Sequence, residues 1–223
     1  MTTDDVVSTL VRDLKPVAPL PAPGVRAWYW SLVASVSGGL AVAVFGLRPD
    51  IAGAAGTISF QAHTMFLVLA TVLASGAALA LAIPGERLSR VRRSAPIAAA
   101  VAWAAWLLAE LAGAVGGSSA AWAIDSGWGC VAKAITMAAI PGAALLIMIA
   151  RGASVDARQA LMFAALAAAG VGGLGVEFTC PKTAAMHLLV WHFGPVLVLP
   201  VVAALAGAPL FTMWMRRQQG LRP

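Results

Sequence analysis

Residues 131–152 read VAKAITMAAIPGAALLIMIARG, and this stretch decides the fold. Positions 131–150 carry one charge, Lys133, before Arg151-Gly152 stops the run. At about 1.5 Å per residue, a helix of this length covers about 30 Å, the thickness of a bilayer's hydrocarbon core. The run therefore predicts a transmembrane helix. Working outward, five more apolar runs stand at 27–47, 64–83, 96–115, 160–176 and 188–210, with Pro84-Gly85 ending the second of these six spans. Six crossings and their short connections nearly use up the 223 residues. With 61% hydrophobic and 11% charged residues, no second folded domain is expected. The predicted fold is all-α: a polytopic bundle of six transmembrane helices with a short N-terminal cytoplasmic amphipathic helix. Its parts are a head and proline-rich tether over 1–25, the transmembrane domain over 26–215 and a basic tail over 216–223.

Lys and Arg set the orientation. Twelve of the fifteen fall on one side, among them Arg12, Lys15, Arg26, Arg87, Arg90, Arg151 and Arg216, and only Arg48, Lys133 and Lys182 fall on the other. The positive-inside rule then places both termini in the cytoplasm of a bacterium, with the chain in the inner membrane. The formal charge of +6 does not point to nucleic acid, because the basic residues lie in short loops between apolar runs. Lipid headgroups are their expected partner, with no direct nucleic-acid contact. Trp28, Trp30 and Trp214 near one boundary, and Trp122 and Trp128 near the other, fit interfacial belts.

The first 25 residues open with Asp4 and Asp5 and end in prolines, so no cleavable signal peptide is expected. Residues 3–14 predict an amphipathic helix with Val6, Val7, Leu10, Val11 and Leu14 on one face. Three to four turns are too short to stand alone in water, so that stripe has to be covered. Docking on the membrane surface and helix-in-groove binding to a cytoplasmic protein both satisfy the requirement.

Cys130 closes the third loop, just before the fourth span, and Cys180 follows the fifth, which puts both on the face opposite the head, where a disulfide can persist. His187 and His192 come next. In an α-helix they are rotated about 140° apart, so as a pair they lack the i,i+4 spacing of helical metal ligands. Cys130, Cys180, His187, His192 and Glu177 are the candidate ligands of a soft metal ion, with a redox pair and inert thiols as the competing readings. Glu110 and Lys133 lie at matching depth inside the bilayer, where an isolated charge costs on the order of 3 kcal/mol, so they are expected to pair. The run 170–175, GVGGLG, matches GxGxxG but lies within an apolar span, and predicts close helix packing rather than a dinucleotide site.

The order Cys180-Pro181, His187, Trp191-His192-Phe193-Gly194-Pro195, with Trp128-Gly129-Cys130, Gly46-Leu47-Arg48-Pro49-Asp50 and the head Thr3-Asp4-Asp5, resembles the NrsF family. These are bacterial six-span anti-sigma factors, negative regulators of a sigma F. The resemblance implies an anti-sigma factor that sequesters an extracytoplasmic-function sigma factor. Cys130 and Cys180 would then be the sensor of a redox or metal stress that releases the sigma factor, residues 3–14 the sigma-binding element, and a heavy-metal ion, where it is the stress, a signal rather than a resident cofactor. Two other functions compete. An inner-membrane thiol oxidoreductase needs a reactive pair and a second pair to pass electrons on. A small transporter needs polar or broken helices at the midplane. One separated cysteine pair and an apolar midplane suit neither, and no enzymatic activity is expected.

Overall fold

A computed structural model describes residues 2–12, 19–113, 122, 124–152, 154 and 156–218. The described residues are all-helical, and six helices are long and apolar enough to cross a membrane. After the head helix α1 (Thr3–Arg12) come α2 (Pro23–Phe45), a short α3 (Ile51–Ala54), α4 (Ile58–Leu81), α5 (Arg90–Gly113), α6 (Trp128–Ala150) and α7 (Ala157–Thr179). The sixth span, Ala185–Arg217, is composite. It runs through α8 (Ala185–His187), a π-helical turn (Leu188–Phe193), α9 (Gly194–Val202), a second π-helical turn (Ala203–Gly207) and α10 (Ala208–Gln218).

Two of the helices, α4 and α7, begin before their apolar stretches at side-chain caps. Thr57 accepts from the Phe60 amide and starts α4 six residues before the apolar run. Asp156 does the same for α7 through Gln159. The segment 48–63, between the first two apolar runs, holds α3 and the first turns of α4. The end of the predicted third span at 114–115 lies outside the described residues.

α7 is the central helix, packed against α2, α4, α6 and α9. Lipid offers helices no hydrophobic drive to associate, so close backbone approach has to hold them. Here glycine provides it. A Cβ at Gly170 would overlap the Thr71 hydroxyl, one at Gly172 would stand 2.5 Å from the Ala134 carbonyl, and one at Gly175 would overlap the Met137 sulfur. The GxGxxG run is therefore a packing surface. α5 lies along α4, and α2 seats between α4 and α6.

Two arginines fasten α2 at its ends. Arg26, buried, donates to the Met148 and Leu79 carbonyls, which belong to the last turns of α6 and α4. Those carbonyls have no helical donor, and a cation there also suits the negative end of each helix dipole. At the opposite end the Arg48 amide donates to Phe178 O at 2.9 Å. Its guanidinium grips Asp50 through two bonds of 2.8 and 2.9 Å and reaches Pro181 O at 3.4 Å. Trp30, 1% exposed, adds a bond of 2.8 Å from its indole N–H to Pro141 O.

Candidate metal centre

Three chain segments meet at the end of the bundle that carries the cysteines. Cys130 lies in the first turn of α6, Cys180 caps the C-terminus of α7, and His187 and His192 project from the start of the sixth span. The two sulfurs are 3.2 Å apart. His187 Nε2 is 3.8 Å from the Cys130 sulfur and 3.9 Å from that of Cys180. One ligand atom from each of Cys130, Cys180, His187 and His192 falls within 4.8 Å of all the others. A tetrahedral ion with bonds of about 2.3 Å to sulfur and 2.0 Å to nitrogen needs edges of roughly 3.3–3.8 Å. The sulfur–sulfur and sulfur–His187 separations are within about 1 Å of that requirement.

Both histidines reach the cluster because the helix is wide where they sit. The turn over Leu188–Phe193 closes with the Gly194 amide on Leu189 O, a five-residue step, which brings His187 and His192 onto one face. The 140° separation read from α-helical geometry is thus corrected by the π-helical turn. Its cause is legible in the chain. Pro195 has no N–H, and its ring clashes with the carbonyl four residues back, at Trp191. Widening the turn removes that clash, and the second wide turn stands in the same relation to Pro209, spanning Leu205.

The cluster is shielded and polarised. His187 is 1% and His192 4% exposed, and Cys180 is buried while Cys130 is half-buried. Among the described residues, His187 Nδ1 and both His192 nitrogens have no hydrogen-bond partner, an arrangement that leaves ligand atoms free for an ion. The hydrogen bond to Cys130 draws the Cys180 thiol below the usual cysteine range, with burial opposing and His192 reinforcing the shift. A thiolate is the form that binds metal or attacks an oxidant. Trp128 and Trp191 stack edge-to-face at 5.1 Å, and Gly127 fits so closely under the Trp191 ring that any side chain there would collide with it. Lys182 pairs with Asp125 at 3.0 Å across the same end.

A family model described as NrsF, negative regulator of sigma F, matches residues 10–214. The chain belongs to the NrsF family. As an NrsF-family protein it is a negative regulator of a sigma factor, and a sigma factor is its partner. Comparison with curated proteins and with solved structures gave no match.

Two expectations for the site are corrected. Glu177 does not join the four-ligand cluster; its carboxylate stands behind it, 3.8 Å from His192 Nδ1 and 3.9 Å from His63 Nδ1. Glu110 and Lys133 do not pair. Glu110 bonds His63 Nε2 at 3.1 Å and the Trp106 indole at 2.9 Å. Lys133 instead donates to the Thr179 carbonyl at 3.4 Å and lies over the Phe45 ring. Depth was matched, but α5 packs on α4, so the partner of Glu110 comes from α4. His63, buried at the centre of this network, had no signal in the sequence beyond being a lone histidine at the start of an apolar run.

In the head, α1 covers Thr3–Arg12 with Val6, Val7 and Val11 exposed, so no described residue covers this part of the apolar stripe. Thr2 and Asp5 cap it reciprocally, with the Thr2 amide on Asp5 at 2.8 Å and the Asp5 amide on the Thr2 hydroxyl at 3.3 Å. Leu14 and the side chain of Leu10 lie outside the described residues, as does the tail beyond Gln218.

Proposed function

We propose that this NrsF-family protein holds an extracytoplasmic-function sigma factor at the inner membrane through its head and releases it when a soft metal ion binds Cys130, Cys180, His187 and His192. The observation that carries the reading is the convergence of two thiols and two imidazoles within 4.8 Å, at the end of the bundle far from the N-terminus of α2. Thiolate and imidazole together favour zinc-like and softer ions over magnesium or calcium. Both termini lie in the cytoplasm in this reading, which rests on the twelve-to-three split of Lys and Arg.

A route for the signal is supported by α2. Its far end is bonded to the Phe178–Pro181 segment through Arg48, and its near end to α4 and α6 through Arg26. An ion that draws α6, α7 and the sixth span together would load both contacts, and the head hangs from the N-terminus of α2. The element with two arrangements is then the packing of α2 on its neighbours. The sigma factor would cover the Val6, Val7 and Val11 stripe as a helix in a groove, with membrane lipid as the alternative cover. A second trigger is favoured by the sulfur separation of 3.2 Å, since a pair in contact needs little movement to form a disulfide.

The test is co-purification of sigma factor with the detergent-solubilised full chain and with a chain lacking residues 1–15. Sigma factor is expected only with the full chain, and added Cd2+ is expected to release it. Recovery with both would move the binding surface to the loops around Arg87 or Arg151. Recovery with neither would overturn sequestration. Release by an oxidant but not by Cd2+ would select the disulfide trigger.

A further inference from the structure

Behind the cluster, a line of polar side chains crosses four spans. Trp106 donates to Glu110, and Glu110 meets His63 Nε2 at 3.1 Å. His63 Nδ1 stands 3.9 Å from Glu177 Oε1, and Glu177 Oε2 stands 3.8 Å from His192 Nδ1. His63, Glu177 and His192 are each more than nine-tenths buried. A buried carboxylate costs several kcal/mol of solvation unless it has a partner. Here each of its two oxygens faces a different imidazole.

We infer that Glu177 is a positioning residue for the metal centre, orienting His192 for the ion while His63 and Glu110 hold Glu177 from behind. This rests on the metal reading above. A histidine that ligates through one nitrogen needs its other N–H taken by an acceptor, and a carboxylate in that role fixes both tautomer and ring orientation. Glu177 faces Nδ1, which leaves Nε2 as the nitrogen for the cluster. The approach of 3.8 Å is about 1 Å longer than a charge-assisted hydrogen bond, so the contact tightens as the ion fixes Nε2. His63 makes that tightening specific. Its ring, packed 3.9 Å from Oε1, limits the rotamers open to Glu177, and Glu110 with Trp106 fixes the His63 ring in turn.

The arrangement also explains why a glutamate and a histidine are kept in the core outside the ligand set. His63 is on α4, Glu110 on α5, Glu177 on α7 and His192 in the π-helical turn. An ion that fixes His192 therefore orders side chains on three further helices.

The experiment titrates the reduced full chain in detergent with Cd2+, following thiolate-to-cadmium charge-transfer absorption, with helix content by circular dichroism as a folding check. Glu177→Gln is expected to keep the absorption at saturation, because both thiolates remain, while its affinity falls about 10–100-fold. His192→Ala is expected to weaken binding too, and the double variant to bind no worse than His192→Ala alone. His63→Gln, which leaves the carboxylate in place, is expected to weaken binding by a smaller factor and serves if Glu177→Gln does not fold. Unchanged affinity in folded Glu177→Gln and His63→Gln would overturn the inference, as would additive losses in the double variant. Absence of the absorption in the unsubstituted chain would instead overturn the metal reading itself.

Discussion

Gly172→Ala should open the metal centre from a position that touches none of its ligands. Its Cβ would stand 2.5 Å from Ala134 O and 3.1 Å from that carbonyl's carbon. Even a close carbon–oxygen contact needs about 3.3–3.6 Å, so α6 has to retreat from α7 by roughly 1 Å at this level. The obstacle is backbone, which cannot rotate away. Ala134 lies one helical turn from Cys130, so the retreat is passed to the Cys130 sulfur, which now sits 3.2 Å from Cys180 and 3.8 Å from His187. Overpacking of this kind costs about 1–3 kcal/mol. Sites of this type tolerate about 0.5 Å of misplacement. Cadmium affinity is therefore expected to fall roughly tenfold to a hundredfold, at about 1.4 kcal/mol per decade. Oxidative closure of Cys130 onto Cys180 should slow in parallel. Gly76→Ala is the control, since a Cβ there meets nothing within 4 Å. If Gly172→Ala keeps its helix content and binds cadmium as tightly as Gly76→Ala, the glycine contact between α6 and α7 does not set the site, and the reasoning fails.

Arg26→Met should strip the donors from the Leu79 and Met148 carbonyls, and hydrogen bonds from a charged group are worth about 1.5–3 kcal/mol each. A drop of about 3–6 kcal/mol in resistance to chemical denaturation, with faster amide exchange at the C-terminal ends of α4 and α6, is the expected result; unchanged exchange there would refute the capping role. At the other end, the hydrogen bonds from Arg48 hold the Asp50 carboxyl below its ordinary range. A carboxyl lowered in the folded state contributes stability that is present above its unfolded pKa of about 3.9 and lost as pH falls through the folded value. Protection of the Arg48 amide should therefore persist from neutral pH to about pH 4 and weaken below it, and Asp50→Asn should remove that pH dependence.

How much of this was legible differs from residue to residue. The six crossings follow from 20-residue apolar runs, because the bilayer imposes its thickness on any helix that spans it. The GxGxxG run was read as packing surface for the same local reason, and the Gly170, Gly172 and Gly175 contacts match that reading. Cys130, Cys180 and His187 were placed on one face by span counting alone. His192 was misplaced in azimuth because 3.6 residues per turn was assumed across a stretch that a following proline widens. Pro195 was the available signal, four residues beyond Trp191.

Depth in the membrane is a one-dimensional property, and the order of residues along the chain determines it. The sequence by itself therefore settled that the chain is a bundle of six apolar helices and that both thiols fall at one end of it. Which side chain meets which across helices depends on rotation about each axis and on which spans are neighbours. Glu110 finds His63 rather than Lys133 because α5 lies against α4. Glu177 stands behind the cluster rather than in it because α7 turns its carboxylate between His63 and His192. Those choices are made by which helices pack together and how each is turned about its axis, and no local pattern in the chain encodes them.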